Sequence, residues 1–471
     1  MATIKEISKA VLAGIFLWSG FAPLELWIGP YLGAALLFIT LTDQEMKKRF
    51  FLSFIVGFSF FLPLFSWSGK YVGAIPWLAL SILESLLFTL IALRRFTRDF
   101  PSSLAFAALF TFVELVRMKV PFGGFGWGRL GFTQVEILGS IYPTVGVAGI
   151  TFVVTLLSAL IISRSFRVVI VFLTSVILLV YIPQDLSTSS SINIDAVQGG
   201  VDSLGLDFNS RALSVLSRHV AETRKIKEPG DLIIWPENSA DIDPMRDPQA
   251  SRLVQSIIAK TRRPLLVGAV ENNARGPQNS SLLFGSHGEL ISRYIKQDLT
   301  PFGEYIPLRK FSEMISPFAK RVVDFQPGYS WVEHRINGMN FPSLICFEIL
   351  DDDSLATGLR GSNFVILQTN NATFGGTSQA SQQLQISRAR AAEFHREFAA
   401  VSTTGWTAHI NSQGKVLEKL PQYKPGHLAM TVQGYSGETR AVHLDSRIWF
   451  LLTGIGAFAR RRIIKPIIYI M

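Results

Sequence analysis

Long apolar runs dominate residues 10–182 and give way to short, alternating runs in the rest of the chain. A helix needs about 20 apolar residues to cross a bilayer, within a usual range of about 17–25. Runs near this length occupy 8–22, 26–42, 50–69, 72–93, 102–117, 141–163 and 167–183. The pattern predicts an N-terminal membrane domain of about seven transmembrane helices over residues 1–184.

Lysine and arginine are unevenly shared between the two sides of these predicted spans. One side has ten basic residues: Lys5, Lys9, Lys47, Lys48, Arg49, Arg94, Arg95, Arg98, Arg164 and Arg167. The other side has four: Lys70, Arg117, Lys119 and Arg129. Because cytoplasmic loops are the ones enriched in Lys and Arg, the ten are expected in the cytoplasm. Seven crossings then leave residues 190–440 outside it.

Residues 190–440 have the pattern of a soluble α/β domain. Short runs rich in Val, Ile and Leu predict strands at 191–199, 231–235, 264–270, 281–284, 342–347, 363–368, 399–403 and 427–432. Helical patterns lie between them at 209–227, 248–262 and 378–397. Strands that alternate with helices indicate an α/β fold. In the last region, 445–471, residues 448–459 predict a short final transmembrane helix, with an interfacial helix as the alternative, and 460–462 begin a basic cytoplasmic tail.

Two features of the membrane domain stand apart from this pattern. Segment 120–133 has five glycines, which disfavour a helix, and aromatic residues that suit the headgroup level. Both a fixed interfacial loop and a mobile lip for lipid entry fit it. Glu84 and Glu114 fall inside predicted spans, where carboxylates are costly. They are expected to face the bundle and to bond to Ser81, Ser85 or Thr111.

The amino-acid composition supports a membrane domain followed by a soluble domain, and it argues against several kinds of binding site. Only 17% of residues are charged, against about 25% in soluble proteins, and mean hydropathy is +0.32. The net charge of +10 does not indicate a nucleic-acid partner, because no basic stripe is interleaved with aromatics. The single cysteine, Cys346, excludes a disulfide framework, and the seven scattered histidines argue against a metal site. No cofactor is expected.

Three reactive side chains follow strands of the α/β domain: Glu237, Lys296 and Cys346. Ligands of α/β sheets bind beyond the carboxyl ends of the strands, so the three are expected to converge. Each residue alone has an ordinary explanation. A lone cysteine is usually buried and inert, and a glutamate or lysine after a strand is usually solvated.

Dispersed motifs surround these residues. They are Trp235-Pro236-Glu237, Lys296 with the string 299–307 (Leu-Thr-Pro-Phe-Gly-Glu-Tyr-Ile-Pro), and Ile345-Cys346-Phe347-Glu348. Together they resemble the nitrilase superfamily, and the string 299–307 resembles its membrane-bound branch, the apolipoprotein N-acyltransferases. Further similarities are Thr369-Asn370-Asn371 and the run 388–393 leading to Arg396. The resemblance covers essentially the whole chain. It implies a polytopic helical membrane bundle with an extracytoplasmic, nitrilase-like α-β-β-α sandwich.

The resemblance implies a catalytic triad of Glu237, Lys296 and Cys346. In chemical terms, Glu237 is the general base for the thiol, and Lys296 is a fixed positive charge for the oxyanion. Supporting or substrate-binding roles are expected for Glu304, Phe347, Glu348, Trp235, Asn371 and Arg396. The chain departs from the family pattern at Leu206, where a Trp is frequent, and at Phe347, where a Tyr is usual.

The implied activity is lipoprotein maturation in the bacterial inner membrane, by a multi-pass protein whose catalytic domain is periplasmic. A fatty acyl chain passes from a phospholipid, expected to be phosphatidylethanolamine, to Cys346. The thioester then acylates the N-terminal amine of the diacylglyceryl-cysteine of an apolipoprotein, in a ping-pong sequence. Two alternatives are a membrane-tethered amidase that hydrolyses a small-molecule C–N bond, and a transporter with a binding domain. The transporter predicts internal repeats, which the sequence does not display.

Overall fold

The computed structural model describes residues 2–71, 73–205, 211–315, 319–320, 322–444 and 446–458. Leu206 and the predicted basic tail at 460–462 lie outside the described residues. The chain divides into two compact units. The first contains Met1–Gly69, Gly73–Gln184 and Thr439–Met471, and the second contains Lys70–Val72 and Asp185–Glu438.

The first unit is helical. Its helices before residue 184 are α1 (Ile4–Ser19), α2 (Gly29–Leu41), α3 (Met46–Leu64), α4 (Ala74–Phe88), α5 (Phe100–Lys119), α6 (Val135–Leu138), α7 (Tyr142–Ile162) and α8 (Phe166–Leu179). Among the described residues, three helical stretches are long and apolar enough to cross a membrane: Ala74–Leu93, Phe100–Lys119 and Val135–Ile162. Helices occur at all seven predicted spans, although α2 and α8 have only 13 and 14 residues. Seven crossings remain a prediction.

A buried ion pair holds the glycine-rich segment 120–133 inside the helical unit. The Arg117 guanidinium, near the end of α5, donates through Nε to Glu84 on α4. Another of its nitrogens donates to the main-chain oxygen of Trp127 at 2.8 Å, and its central carbon lies 4.2 Å from the centre of the Phe61 ring. Because both charged side chains are at most 2% exposed, the pair ties the segment to α4 and α5.

A second carboxylate, Glu114, fixes the following part of the segment. Its Oε1 accepts the Leu130 N–H at 2.8 Å, and its Oε2 accepts the Thr151 hydroxyl at 2.7 Å. The Arg129 Nε lies 3.9 Å from Oε2. Residues 127–134 are all buried, which favours a fixed loop over a mobile lip for this part of the segment.

The two carboxylates face the interior, as predicted, but the predicted partners were wrong. The hydroxyls of Ser81, Ser85 and Thr111 instead donate to main-chain oxygens four residues earlier in their own helices. Serine and threonine in helices readily make this local bond. The carboxylates therefore pair with arginines, whose charge compensates the cost of burying an ionised group.

Glu84→Ala is expected to destabilise the helical unit by about 3–5 kcal/mol, because it leaves the buried Arg117 without its counter-charge. Thermal unfolding of the purified protein in detergent measures the effect. Lys48→Ala is the matched control, since its ion pair with Glu6 is partly exposed and should matter little. Equal shifts of the unfolding temperature in the two variants would contradict a structural role for the buried pair.

In its described residues, the second unit contains two six-stranded sheets and five α-helices. The strands are β1 (Asp185–Gln198), β2 (Leu232–Ile234), β3 (Leu265–Asn273), β4 (Gly276–Phe284), β5 (Leu290–Ile295), β6 (Glu333–Ile336), β7 (Met339–Ile345), β8 (Val365–Thr369), β9 (Phe398–Ser402), β10 (Ala408–Ile410), β11 (Val416–Lys419) and β12 (Gly426–Glu438). The helices are α9 (Ser214–Thr223), α10 (Pro248–Thr261), α11 (Arg309–Ile315), α12 (Asp352–Gly358) and α13 (Gln379–Phe394). The strand orders are β12-β1-β2-β3-β4-β5 and β11-β10-β9-β8-β7-β6.

The two sheets pack face to face, with helices on their outer faces. One core cluster joins inward-facing residues of both sheets, such as Ile194, Leu266, Phe341 and Ile366. A second cluster packs α9 and α10 against the first sheet through residues that include Val254. α13 contacts β9 and β10 of the second sheet. The predicted fold class, a helical membrane bundle together with an α-β-β-α sandwich domain, is confirmed.

Strand directions bring the three reactive positions to corresponding ends of the strands. In the first sheet β2 and β3 are parallel, while β3–β4 and β4–β5 are antiparallel, so β5 runs in the direction of β2. Glu237 follows β2, and Lys296 follows β5. In the second sheet β7, β8 and β9 are parallel, and Cys346 follows β7. After β12, α14 (Arg440–His443) and α15 (Ser446–Phe458) belong to the helical unit, where α15 packs against α5.

Candidate active site

Cys346 occupies a sharp change of direction at the end of β7. It is the first residue of a 3-10 turn, Cys346–Leu350, and its φ is +51°. The left-handed region costs a non-glycine residue about 1–2 kcal/mol, and such conformations recur at functional sites. The residue as a whole is partly exposed, and the turn places its thiol at the end of the strand.

Glu237 lies in a cradle of donors. Its Oε1 accepts the Asn279 side-chain amide at 2.7 Å, and its Oε2 accepts the main-chain N–H of Asn370 at 2.7 Å. The Lys296 Nζ is 3.8 Å from Oε1. Burial raises the pKa of Glu237, and the neighbouring Glu304 carboxylate adds to this rise, while Lys296 opposes it. A carboxylate with a raised pKa is a stronger base than an ordinary one.

Lys296 is buried and bonded to carboxylate and hydroxyl oxygens. Its Nζ donates to Glu304 Oε2 at 2.6 Å and to the Thr300 hydroxyl at 3.2 Å. Burial opposes the charge, but Glu304 and Glu237 outweigh it and raise the pKa of Lys296 well above its ordinary value. The ammonium group is therefore a permanent positive charge at the site. Glu304, for which a supporting role was predicted, orients the lysine and also accepts the Asn279 amide at 2.9 Å.

The Cys346 thiol shares this electrostatic environment. Burial raises the pKa of the thiol, the carboxylates of Glu237 and Glu304 add to the rise, and Lys296 and Gln383 oppose it. The structure thus brings the three predicted catalytic residues into one cluster. A raised pKa favours the neutral thiol over the thiolate, so attack by this sulfur would need a base to remove its proton. The raised pKa of Glu237 suits its carboxylate to accepting a proton.

Glu348 links the nucleophile's turn to the loop that carries Lys296. It accepts the Tyr294 hydroxyl at 2.5 Å, the Gln297 N–H at 2.8 Å and the Ile345 N–H at 2.7 Å. Burial raises the pKa of Glu348 to about 7. Its contacts make it a positioning residue. Phe347, its neighbour in the predicted motif, is half-buried next to Cys346.

Supporting roles were also predicted for Trp235, Asn371 and Arg396. Their described hydrogen bonds are with residues other than Glu237, Lys296 and Cys346. The Trp235 ring lies in the core and donates to the Thr223 hydroxyl at 2.8 Å, so its side chain supports the strand before Glu237. Asn371 bonds to Gln383, which contacts the nucleophile. The described hydrogen bonds of Arg396 go to main-chain oxygens of Ser362, Phe394, His395 and Gly437. Arg396 thus braces loops of the domain.

Two residues of the site, Asn279 and Gln383, were missed from the sequence, and two others, Asn370 and Arg390, were noted only as parts of motifs, without a role. Asn279 was missed because the predicted strand began at 281, whereas β4 begins at Gly276. The pairing of Ser280 with Ile295 places Asn279 beside Lys296, and a correct hairpin register would have revealed it. Among the described residues, no group of three or more His, Cys, Asp or Glu is arranged to hold a metal ion.

Comparisons with known proteins agree with this architecture. Residues 210–441 match the carbon-nitrogen hydrolase family model, which defines the class of the second unit. The fold also resembles a CN-hydrolase superfamily protein from Xanthomonas campestris, at 16% identity and a TM-score of 0.40, over 52% of this chain and 91% of that one. An amidase of the nitrilase superfamily from Nesterenkonia is similar at 16% identity and a TM-score of 0.39, over 54% of this chain and 93% of its own.

The helical unit narrows the class to one family. Residues 13–160 match the model of the apolipoprotein N-acyltransferase N-terminal domain. An apolipoprotein N-acyltransferase from Mycolicibacterium smegmatis is 30% identical, over 90% of this chain and 79% of that protein. Another from Haemophilus ducreyi is 27% identical, over 94% of both chains. The chain belongs to the apolipoprotein N-acyltransferase family.

Proposed function

We propose that the protein transfers a fatty acyl chain from a phospholipid, through a thioester on Cys346, to the N-terminal amine of the diacylglyceryl-cysteine of apolipoproteins. Phosphatidylethanolamine is the proposed donor. The protein spans the bacterial inner membrane several times, with its catalytic unit on the periplasmic side. The observation that carries the proposal is the cluster in which Glu237 and Lys296 lie 3.8 Å apart and interact electrostatically with Cys346, the single cysteine of the sequence.

In the first half-reaction the Cys346 sulfur attacks the ester carbonyl of the phospholipid while Glu237 accepts the thiol proton. Negative charge develops on the carbonyl oxygen, where the Lys296 ammonium and a main-chain N–H of the following turn stabilise it. The C–O bond to glycerol then breaks. Glu237 returns its proton to the departing oxygen, so lysophospholipid leaves as a neutral alcohol and the enzyme holds an acyl thioester.

In the second half-reaction the neutral α-amine of the apolipoprotein attacks the thioester carbonyl. Glu237, ionised again, accepts a proton from the attacking nitrogen, and Lys296 stabilises the second oxyanion. The C–S bond breaks, an amide forms, and the proton passes from Glu237 to the sulfur. Each residue returns to its starting state. The same groups therefore serve both halves of a ping-pong transfer.

The amidase alternative forms the same kind of thioester but resolves it with water. The match of residues 13–160 to the N-terminal domain of the acyltransferase family favours transfer. The helical unit has three described stretches long and apolar enough to cross a membrane, which suits a phospholipid donor. A transferase must exclude water from the thioester until the acceptor amine binds.

The decisive experiment supplies the purified protein with a phospholipid carrying a labelled acyl chain, with and without an acceptor. Without acceptor, the label is expected to remain on the protein as a stable thioester. A diacylated lipopeptide with a free N-terminal amine is expected to discharge it into an amide, whereas the N-acetylated lipopeptide does not. Rapid release of free fatty acid without acceptor would instead support a hydrolase.

The two half-reactions are expected to differ in their dependence on pH. Acylation requires ionised Glu237. Because the pKa of Glu237 is raised, the acylation rate is expected to increase with pH at higher pH values than an ordinary carboxyl group would give. Discharge also requires a neutral α-amine, with a pKa of about 7.7–8.0 in peptides, so its rate continues to rise to about pH 8. Quenched-flow measurements of labelling and discharge test this. A shared midpoint for both steps would contradict the assigned roles.

A further inference from the structure

Helix α13 presents two buried polar side chains to the turn that begins with Cys346. Gln383 donates through Nε2 to the Cys346 main-chain oxygen at 3.2 Å and approaches the sulfur at 3.6 Å. Arg390 donates to the main-chain oxygens of Ile349 at 2.9 Å and Leu350 at 3.1 Å. Seven residues are about two helical turns, so both side chains project from one face of the helix. They hold the first and last residues of the same turn.

A network of side chains sets the orientation of the Gln383 amide. Its Oε1 accepts the Asn371 amide at 2.8 Å. Asn371 is oriented in turn, because its Oδ1 accepts the hydroxyls of Ser402 at 2.6 Å and Thr369 at 3.0 Å. With its oxygen occupied, Gln383 directs its NH₂ group towards the sulfur. A donor facing sulfur stabilises the thiolate relative to the thiol.

Arg390 is a cation that two carboxylates hold in a fixed position. It is fully buried and pairs with Glu393 at 2.5 Å and Asp352 at 2.6 Å. The last carbonyl groups of a helical turn lack partners within the turn. Arg390 supplies them with donors, and so holds the end of a turn whose first residue has the unfavourable φ of +51°.

We propose that α13 positions the nucleophile: Gln383 orients the Cys346 thiol and stabilises its thiolate form, and Arg390 fixes the turn that carries it. This assignment deepens the acyl-transfer function proposed above, on which its catalytic meaning rests. Gln383 then acts twice in the cycle. It assists the sulfur as it attacks the ester, and again as the sulfur leaves the thioester.

Alkylation of Cys346 by iodoacetamide tests the proposal without any lipid. The chain has one cysteine, so the rate of alkylation reports on that thiol alone. Gln383→Met is expected to raise the apparent pKa of alkylation by about one unit, which lowers the rate about tenfold at a fixed pH below that pKa. Gln255→Met is the matched control, because the Gln255 amide donates to the main-chain oxygen of Gly288 and should leave the profile unchanged.

Two further variants keep the test decisive. Gln383→Asn shortens the side chain, so the amide no longer reaches the sulfur but a polar group is retained. This variant is expected to fold and to raise the apparent pKa of alkylation, as Gln383→Met does. Arg390→Lys keeps the buried charge but loses the fork that reaches two carbonyls, and should slow acylation at least about tenfold. An unchanged alkylation profile in both Gln383 variants would overturn the proposal. Failure of the wild-type protein to transfer acyl chains would overturn the proposed function and leave the alkylation result standing.

Discussion

Cys346→Ala is expected to abolish labelling by acyl donors, and Glu237→Gln is expected to slow acylation at least about a hundredfold. The first result follows because the chain has no other thiol. The second follows because burial and two carboxylates raise the pKa of the Cys346 thiol. Little thiolate is present before attack, so the reaction depends on a base that takes the proton during attack.

Glu237→Gln changes hydrogen bonding as well as basicity. Both oxygens of Glu237 accept from donors, namely the Asn279 amide and the Asn370 N–H. The new NH₂ group must face one of them, so some loss of stability is expected. Thermal unfolding of the variant separates this loss from the loss of rate. Glu418→Gln, on an exposed strand position, is the control, and near-normal acylation by Glu237→Gln would remove Glu237 from the mechanism.

The parts of the site that could be predicted from the sequence are those that follow a recognisable run of apolar residues. Apolar runs mark β2 and β7, and the residues that follow them include Glu237 and Cys346, for which we propose the catalytic roles. Lys296 was found because it ends a hairpin strand. The α-β-β-α sandwich followed from the alternation of strands with helices and from the family resemblance. The short strands β6, β10 and β11 lacked a clear apolar run and were missed.

The parts that were not predictable depend on contacts between distant residues. Gln383 lies 37 positions after Cys346, on a helix that buries polar side chains among apolar ones, so hydrophobic periodicity does not mark it. Arg396 was selected from a motif, yet Arg390 is the arginine of that motif that holds the nucleophile's turn. The partner of Glu84 is Arg117, 33 residues away. Sequence spacing alone does not identify such partners.

Lys296→Met is expected to cost both stability and rate, and a double variant separates the two. Lys296 is the cation that compensates Glu304 at 2.6 Å and Glu237 at 3.8 Å. Its removal leaves two buried carboxylates unbalanced, at a cost of about 3–5 kcal/mol of stability. It also removes an oxyanion donor, at a cost of about 3–4 kcal/mol of barrier, or roughly a hundredfold to a thousandfold in acylation rate.

Lys296→Met/Glu304→Gln removes one of the unbalanced charges together with the cation. The thermal stability of the double variant is expected to recover part of the loss, while acylation stays as slow as in Lys296→Met. Glu304→Gln alone leaves the ammonium near Glu237 and is expected to reduce the rate less than Lys296→Met does. Acylation by the double variant within tenfold of the wild type would mean that Lys296 only balances charge. The oxyanion would then depend on main-chain donors of the turn that begins at Cys346.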